Sequence, residues 1–110
     1  MMIDVISENL AIDFLKKHKA NKERISITGA DIWYGAFCDE LLVGVISLKK
    51  IGKNNRVKAF YVSKDYRKVG VGMALLTKAL TYDNMKYTAF ATNYSRNLFL
   101  RCGFEEKWFN

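Results

Sequence analysis

One loop constrains this chain more than any other segment. From Leu41 to Ser63 the apolar residues follow strand patterns, and from Met73 onward they recur at helical spacing. The change is made across Lys64–Gly72, KDYRKVGVG. The first N–H groups of a helix have no partner inside it and carry the positive end of its dipole. Glycines let such a loop approach a ligand closely and turn those N–H groups into one concavity. This is the chemistry of a phosphate or pyrophosphate site. Two familiar nucleotide loops fail. A Walker loop needs GxxxxGK[ST], but Met73-Ala74 follow Gly72. A dinucleotide fingerprint needs GxGxxG at the first strand, but position 75 is Leu and earlier strands precede the loop.

The rest of the chain arranges itself around this loop. Residues 1–6 alternate weakly and start a strand. Ser7 caps a helix to about Lys19, with Leu10, Phe14 and Leu15 as its apolar stripe and His18 as a surface residue. Residues 20–30 are irregular, with RISIT as a short strand. Residues 32–38 and 41–48 are strands joined by an Asp39-Glu40 turn, and the apolar run 41–48 suits a central strand covered on both faces. Lys53-Asn54-Asn55 after Gly52 form the next turn, and 56–63 complete an antiparallel meander. A helix over 73–84 and a strand over 85–91 imply a parallel pair with a right-handed crossover. Residues 94–102 read as a shorter helix with Gly103 as its C′ residue, and 104–109 as a last edge strand. The pattern predicts an α/β fold with a mixed sheet, antiparallel first and parallel where the later helices enter.

Length and charge narrow the function. The 110 residues suit a single domain, 1–110, and 50% apolar with 26% charged is a globular balance. The formal net charge is +7, all of it placed in residues 49–68. There Lys49, Lys50, Lys53, Arg56, Lys58, Lys64, Arg67 and Lys68 face Asp65 alone. Such a block is either a solvated face or a site for a polyanion. No apolar run reaches the ~18–20 residues of a membrane span, and Met1-Met2-Ile3-Asp4 does not open a secretory signal, so a cytoplasmic protein that avoids membranes is expected. Cys38 and Cys102 lie 64 residues apart with one histidine in the chain. They make no zinc site and read as buried, reduced thiols, so no metal is expected.

The longer string VSKDYRKVGVGMALL resembles the pyrophosphate-binding signature R/Q-x-x-G-x-G/A of the GNAT superfamily of N-acetyltransferases, with Arg67, Gly70 and Gly72 on the signature positions and Phe60-Tyr61-Val62 ending the strand before it. ATNYSRNLFLRCGF is similar to the family's late helix, which ends in an aromatic residue, three residues and Gly-Phe. The resemblance implies a GNAT-like mixed, splayed β-sheet flanked by helices, the antiparallel meander being followed by a parallel strand–helix–strand unit. It implies an acetyl-CoA-dependent N-acetyltransferase moving an acetyl group to a primary amine by direct attack on the thioester. The backbone of Phe60, Tyr61 and Val62 would bind the pantetheine arm in a slot opened by splay between strands 56–63 and 85–91. The N–H groups of Lys68, Val69, Gly70, Val71, Gly72 and Met73 would hold the pyrophosphate, with charge from Arg67 and Lys68. Asn93, Asn97 and Phe99 would lie near the distal arm or the thioester. Gly72→Asp is expected to abolish cofactor binding by placing a carboxylate at the pyrophosphate.

The chain departs from the family where chemistry is concentrated. Residues 56–63 contain no acid where many members carry a glutamate base. Phe99 stands where many carry a tyrosine acid, so the proton donors nearby are Tyr94, Ser95 and Cys102. Asp31, Asp39 and Glu40 are the nearest candidate bases, and the Val62 N–H would hold the oxyanion. The chain is short for the family and in this resembles compact, phage-encoded GNAT proteins. An open acceptor side is therefore expected, or one completed in a homodimer, which suits a protein amine better than an enclosed small molecule. The alternative is a non-catalytic or nucleic-acid-modifying module, like the GNAT-like phage Mom protein, that binds an acidic partner such as nucleic acid through residues 49–68.

Overall fold

A computed structural model describes residues 1–18, 29–92 and 95–106. Its centre is a sheet of five strands in the order β1-β2-β3-β4-β5. β1 is Met2–Ile6, β2 Ile32–Cys38, β3 Leu41–Ile51, β4 Asn54–Val62 and β5 Lys86–Ala89. The first four strands pair antiparallel, and β5 joins β4 in parallel. Helix α1 is Glu8–Lys17, α2 Val71–Ala79 and α3 Arg96–Arg101. The mixed sheet expected from the alternation is therefore present.

Each face of the sheet has its own core. On one side Ala11, Phe14 and Leu15 of α1 pack with Trp33, Val45, Ala59 and Tyr61. On the other, Val71, Leu75, Leu76 and Ala79 of α2 pack with Val43, Ile46, Leu48, Val57 and Val62. β3 feeds both sides and is buried from Val43 to Leu48, as its apolar run requires. Leu10, expected in the stripe of α1, is exposed; Ala11 takes its place.

Several element ends were legible locally. Ser7 caps α1, its Oγ accepting from the Leu10 N–H at 3.2 Å. Asp39 and Glu40 both have positive φ, 49° and 67°, as a two-residue hairpin turn demands. Gly103, at φ 92°, ends α3: its N–H bonds Leu100 O, the Phe104 N–H bonds Phe99 O, and the Phe104 ring rests on Phe99.

Other boundaries moved. The β3–β4 turn is tighter than expected: Asn54 and Asn55 belong to β4, opposite Ile51 and Lys50. Helix α2 begins at Val71 because left-handed Gly70 serves as its N-cap. It ends at Ala79, where the Asp83 main chain is captured by the Tyr87 hydroxyl through both its N–H and its C=O. The expected last strand over 104–109 is absent at 104–106, because Phe104 folds back on α3 and Glu106 pairs with Arg96. Residues 107–109 and the RISIT segment lie outside the described residues.

One irregularity shapes the sheet. Ser47 pairs with Ala59 and Leu48 with Val57, so Lys58 is an extra residue with no β3 partner. The buried Ser47 hydroxyl accepts the Ala59 N–H at 3.1 Å, satisfying a donor at the disruption. Ser47→Ala would leave that buried N–H unmet. It is expected to cost about 1–3 kcal/mol in urea denaturation, with Ser47→Thr losing less.

Candidate functional site

The site begins where the Lys58 bulge turns β4 away from β5. Their pairing runs from Asn54–Lys86 to Val57–Ala89 and stops there. Beyond it, β4 continues to Val62 and, among the described residues, pairs with β3 on one side only. The Ser63 N–H donates to Val43 O at 2.8 Å and the Ala59 N–H to Ser47, so these groups point toward β3. Alternation then turns the N–H groups of Phe60 and Val62 toward the open edge. This is the splay that the GNAT resemblance implied between these two strands.

The open edge leads to the glycine loop. A 3-10 turn over Lys64–Tyr66 follows β4. Lys68 and Gly70 then take positive φ, 65° and 92°, curling the backbone before α2. The Ala74 N–H makes the first helical bond, to Gly70 O at 3.0 Å, which leaves the N–H groups of Val71, Gly72 and Met73 aimed out of the helix end. The first turn holds no acid, and no side chain caps it. Lys68 is exposed beside it. Arg67 folds back on β4: its Nε donates to Val62 O at 2.9 Å, and its guanidinium lies 5.1 Å from the Tyr61 ring centre. Val69 is exposed between the curled residues.

The two glycines do different work. A Cβ on Gly70 would touch nothing within 4 Å, so its role is its left-handed φ. A Cβ on Gly72 would meet Leu98 Cδ1 at 3.0 Å, Phe60 Cζ at 3.6 Å and Val62 Cγ2 at 3.8 Å. Gly72 thus lets α2 lie against β4 and α3. A carboxylate there would enter the apolar interior and not the phosphate cradle, which corrects the reason expected for Gly72→Asp.

The late helix brings together some of the expected residues. Phe99 is buried and meets Phe60 edge to face at 5.8 Å, so these rings flank the open edge on the α2 side. The Cys102 Sγ lies 3.4 Å from Met73 Sδ, joining α3 to the first turn of α2. Ser95 is buried, and its hydroxyl is engaged with Thr92, accepting the Thr92 N–H at 3.0 Å. Asn97 is exposed, two residues before Phe99 and so on the other side of α3. Asn93 and Tyr94 lie outside the described residues. Of the candidate bases, Asp31 accepts the Lys50 N–H and Asp39 and Glu40 form their turn, none of them at the open edge. A depression of about 410 Å³ lined by Met1, Met2, Asp4, Phe37, Asp39 and Glu40 sits at the β1–β2 edge, away from this cradle.

His18, expected on the surface, is half-buried at the end of α1. Its ring lies 4.3 Å from Phe14 and 6.2 Å from Tyr61. Burial, reinforced by Lys17 and opposed by Asp65, holds its pKa below the usual value. Only the i, i+4 spacing of Phe14 and His18 hinted at this contact.

The family description "Acetyltransferase (GNAT) domain" matches residues 4–108. The chain belongs to the GNAT acetyltransferase family. By family the protein is an N-acetyltransferase, as the Arg67–Gly72 signature implied. No curated protein matches the sequence itself. Solved GNAT structures share the fold at low identity. The aminoglycoside N-acetyltransferase AAC(6')-Iy, in complex with CoA, has TM-score 0.73 and 15% identity over 96% of this chain and 92% of its own. A ribosomal-protein-alanine N-acetyltransferase from Brucella melitensis biovar Abortus 2308 has TM-score 0.72 and 17% identity over 99% and 94%. An acetyltransferase from Trypanosoma brucei has TM-score 0.72 and 18% identity over 99% and 95%. The CoA in the first of these agrees with acetyl-CoA as the acyl donor of a GNAT protein.

Two measurements test this local picture. In an NMR titration the His18 imidazole should titrate below 6.5, and Phe14→Ala, by admitting water, should raise it, since desolvation favours the neutral ring. Gly70→Ala should cost about 1–3 kcal/mol by strain alone. Gly72→Leu should cost more and weaken ligand binding too, because Leu98 and Phe60 must move.

Proposed function

We propose that the protein transfers an acetyl group from acetyl-CoA to an amine by direct attack of the amine on the thioester. One observation carries this reading: the open edge of β4 runs directly into an acid-free, left-handed cradle at the start of α2. The edge suits an extended amide-bearing arm, and the cradle suits a pyrophosphate, so one long ligand fits both.

The residues divide the work. Phe60 and Val62 offer main-chain hydrogen bonds to the arm, and the Phe60–Phe99 pair gives it an apolar wall. The N–H groups of Val71, Gly72 and Met73 hold the pyrophosphate, with Lys68, Val69 and Gly70 setting the curl of the loop and Arg67 and Lys68 adding charge. Acetyl-CoA supplies an activated acyl carbon whose sulfur departs as a thiolate. A main-chain N–H on the open edge, that of Val62, stabilises the charge that develops on the acyl oxygen. Cys102, Ser95 and Tyr94 are the proton donors proposed on sequence grounds. Of the two within the described residues, only the Cys102 thiol adjoins the first turn of α2. Positioning supplies much of the acceleration in such a site.

Isothermal titration with CoA tests the reading. Lys68→Glu should weaken CoA binding by about tenfold at low salt, and its effect should shrink for a pantetheine fragment lacking the phosphates. No heat and no thermal shift with CoA, together with no thiol release in the presence of any amine, would overturn it.

A further inference from the structure

The proposed cradle uses Lys68, and Arg67 folds back on Val62 and Tyr61, which leaves the earlier half of the basic stretch without a role. The sheet sorts that half. Lys50 lies on the α2 side, where its ammonium bonds Asp83 at 3.1 Å; Asp83 also accepts from Asn55 at 2.6 Å. Lys50 is thus a tie between the β3–β4 hairpin and the α2–β5 loop, and Lys53 sits in the turn.

Lys49, Arg56 and Lys58 go to the other face. Arg56 stands between Asn55, which reaches Asp83, and Val57, which packs under α2, so alternation turns it to the α1 side. Lys49 is directly opposite it on β3, and Lys58 follows two residues on, beside Ala59 of the α1-side core. Like charges placed opposite each other on a sheet repel. Yet among the described residues none of these three cations has an ion-pair partner. Beside them Phe90 is 78% exposed, with the Arg56 guanidinium 4.9 Å above its ring. Phe90 immediately follows Ala89, the last residue paired with β4, so this cluster marks the closed end of the open edge. Lys58 is two residues, roughly 7 Å, from Phe60.

We infer that this cluster is the acceptor side and that it binds a peptide whose free α-amine is followed by acidic residues; the inference rests on the acetyltransferase reading above. The charge is complementary: cations at ~7 Å spacing along one strand face match carboxylates on alternate residues of an extended peptide. The amine fits the chemistry of the site. β4 carries no carboxylate to act as a base. An α-amine titrates near ~8, against about 10.4 for a lysine, so it is substantially neutral without help. Exocyclic amines of nucleobases are poor nucleophiles because their lone pairs are delocalised into the ring, which favours a peptide over a nucleic acid.

Peptides with a free N-terminal alanine followed by three glutamates, three glutamines or three lysines separate the outcomes, with thiol release from acetyl-CoA as the readout. The glutamate peptide should show a kcat/KM about tenfold above the glutamine one at low salt, the difference fading towards ~1 M salt. The double variant R56E/K58E should reverse the preference toward the lysine peptide while leaving the Kd for CoA unchanged. R56Q/K58Q, with an unchanged thermal midpoint, should merely abolish it. Equal turnover of glutamate and glutamine peptides, or a preference that survives both variants, overturns the inference. So does an oligonucleotide that displaces the glutamate peptide at lower concentration, since the face then belongs to nucleic acid. If CoA binds and only other amines are acetylated, the acceptor inference alone falls. If CoA does not bind and no amine reacts, both readings fall.

Discussion

The bond from the Ala59 N–H to the Ser47 hydroxyl stabilises the bulge on which the shape of β4 depends. A bulge inside a sheet leaves a main-chain donor without its ladder partner, and in a buried position that is costly. Ser47 supplies the missing acceptor, so the extra residue Lys58 is accommodated rather than expelled. Three consequences follow from one inserted residue. β4 bends away from β5 after Val57, exposing main-chain groups along one edge. Ala59 and Tyr61 are turned to the α1 face, while Phe60 and Val62 keep the α2 face. Lys58 itself is delivered to the mouth of the opening. The cradle at the start of α2 would be an isolated helix end without the edge that leads to it.

The period of two in a strand also explains the basic stretch. Neighbouring lysines in sequence are opposite neighbours in space. Lys50 stabilises a hairpin through Asp83, whose carboxyl is held below its usual range chiefly by the Met85 N–H, with Lys50 and Asn55 adding to it. Lys49, one residue earlier, faces the other solvent layer. A single run of positive charge is thus divided into a structural tie, the curled loop before α2 and a separate basic face.

The parts of the fold that rest on local chemistry were legible in the sequence. Left-handed turns at Asp39-Glu40, the cap at Ser7 and the glycine that ends α3 each follow from what those residues do to their own backbone. The strand–loop–helix signature at Arg67–Gly72 placed the curled loop before α2. What escaped depends on contacts distant in sequence. No local pattern announces a bulge at Lys58, because its cause, Ser47, lies on another strand. Gly72 looked like a second loop glycine, yet it is a packing residue whose neighbours come from β4 and α3. The 104–106 segment is held by Phe99 and Arg96, which compete for it more strongly than a sheet edge does. The burial of His18 escaped for the same reason: Tyr61, on the α1 face of the sheet beside it, is distant in sequence.

The contact made through Gly72 also acts as a ruler. Gly72 adds no side chain of its own, so the first turn of α2 is seated directly on the tips of Phe60, Val62 and Leu98. Those three side chains set the height of the helix end above β4. Exchanging one of them for a larger or smaller residue would therefore move that end as a shim moves a bearing, with no change in the loop itself.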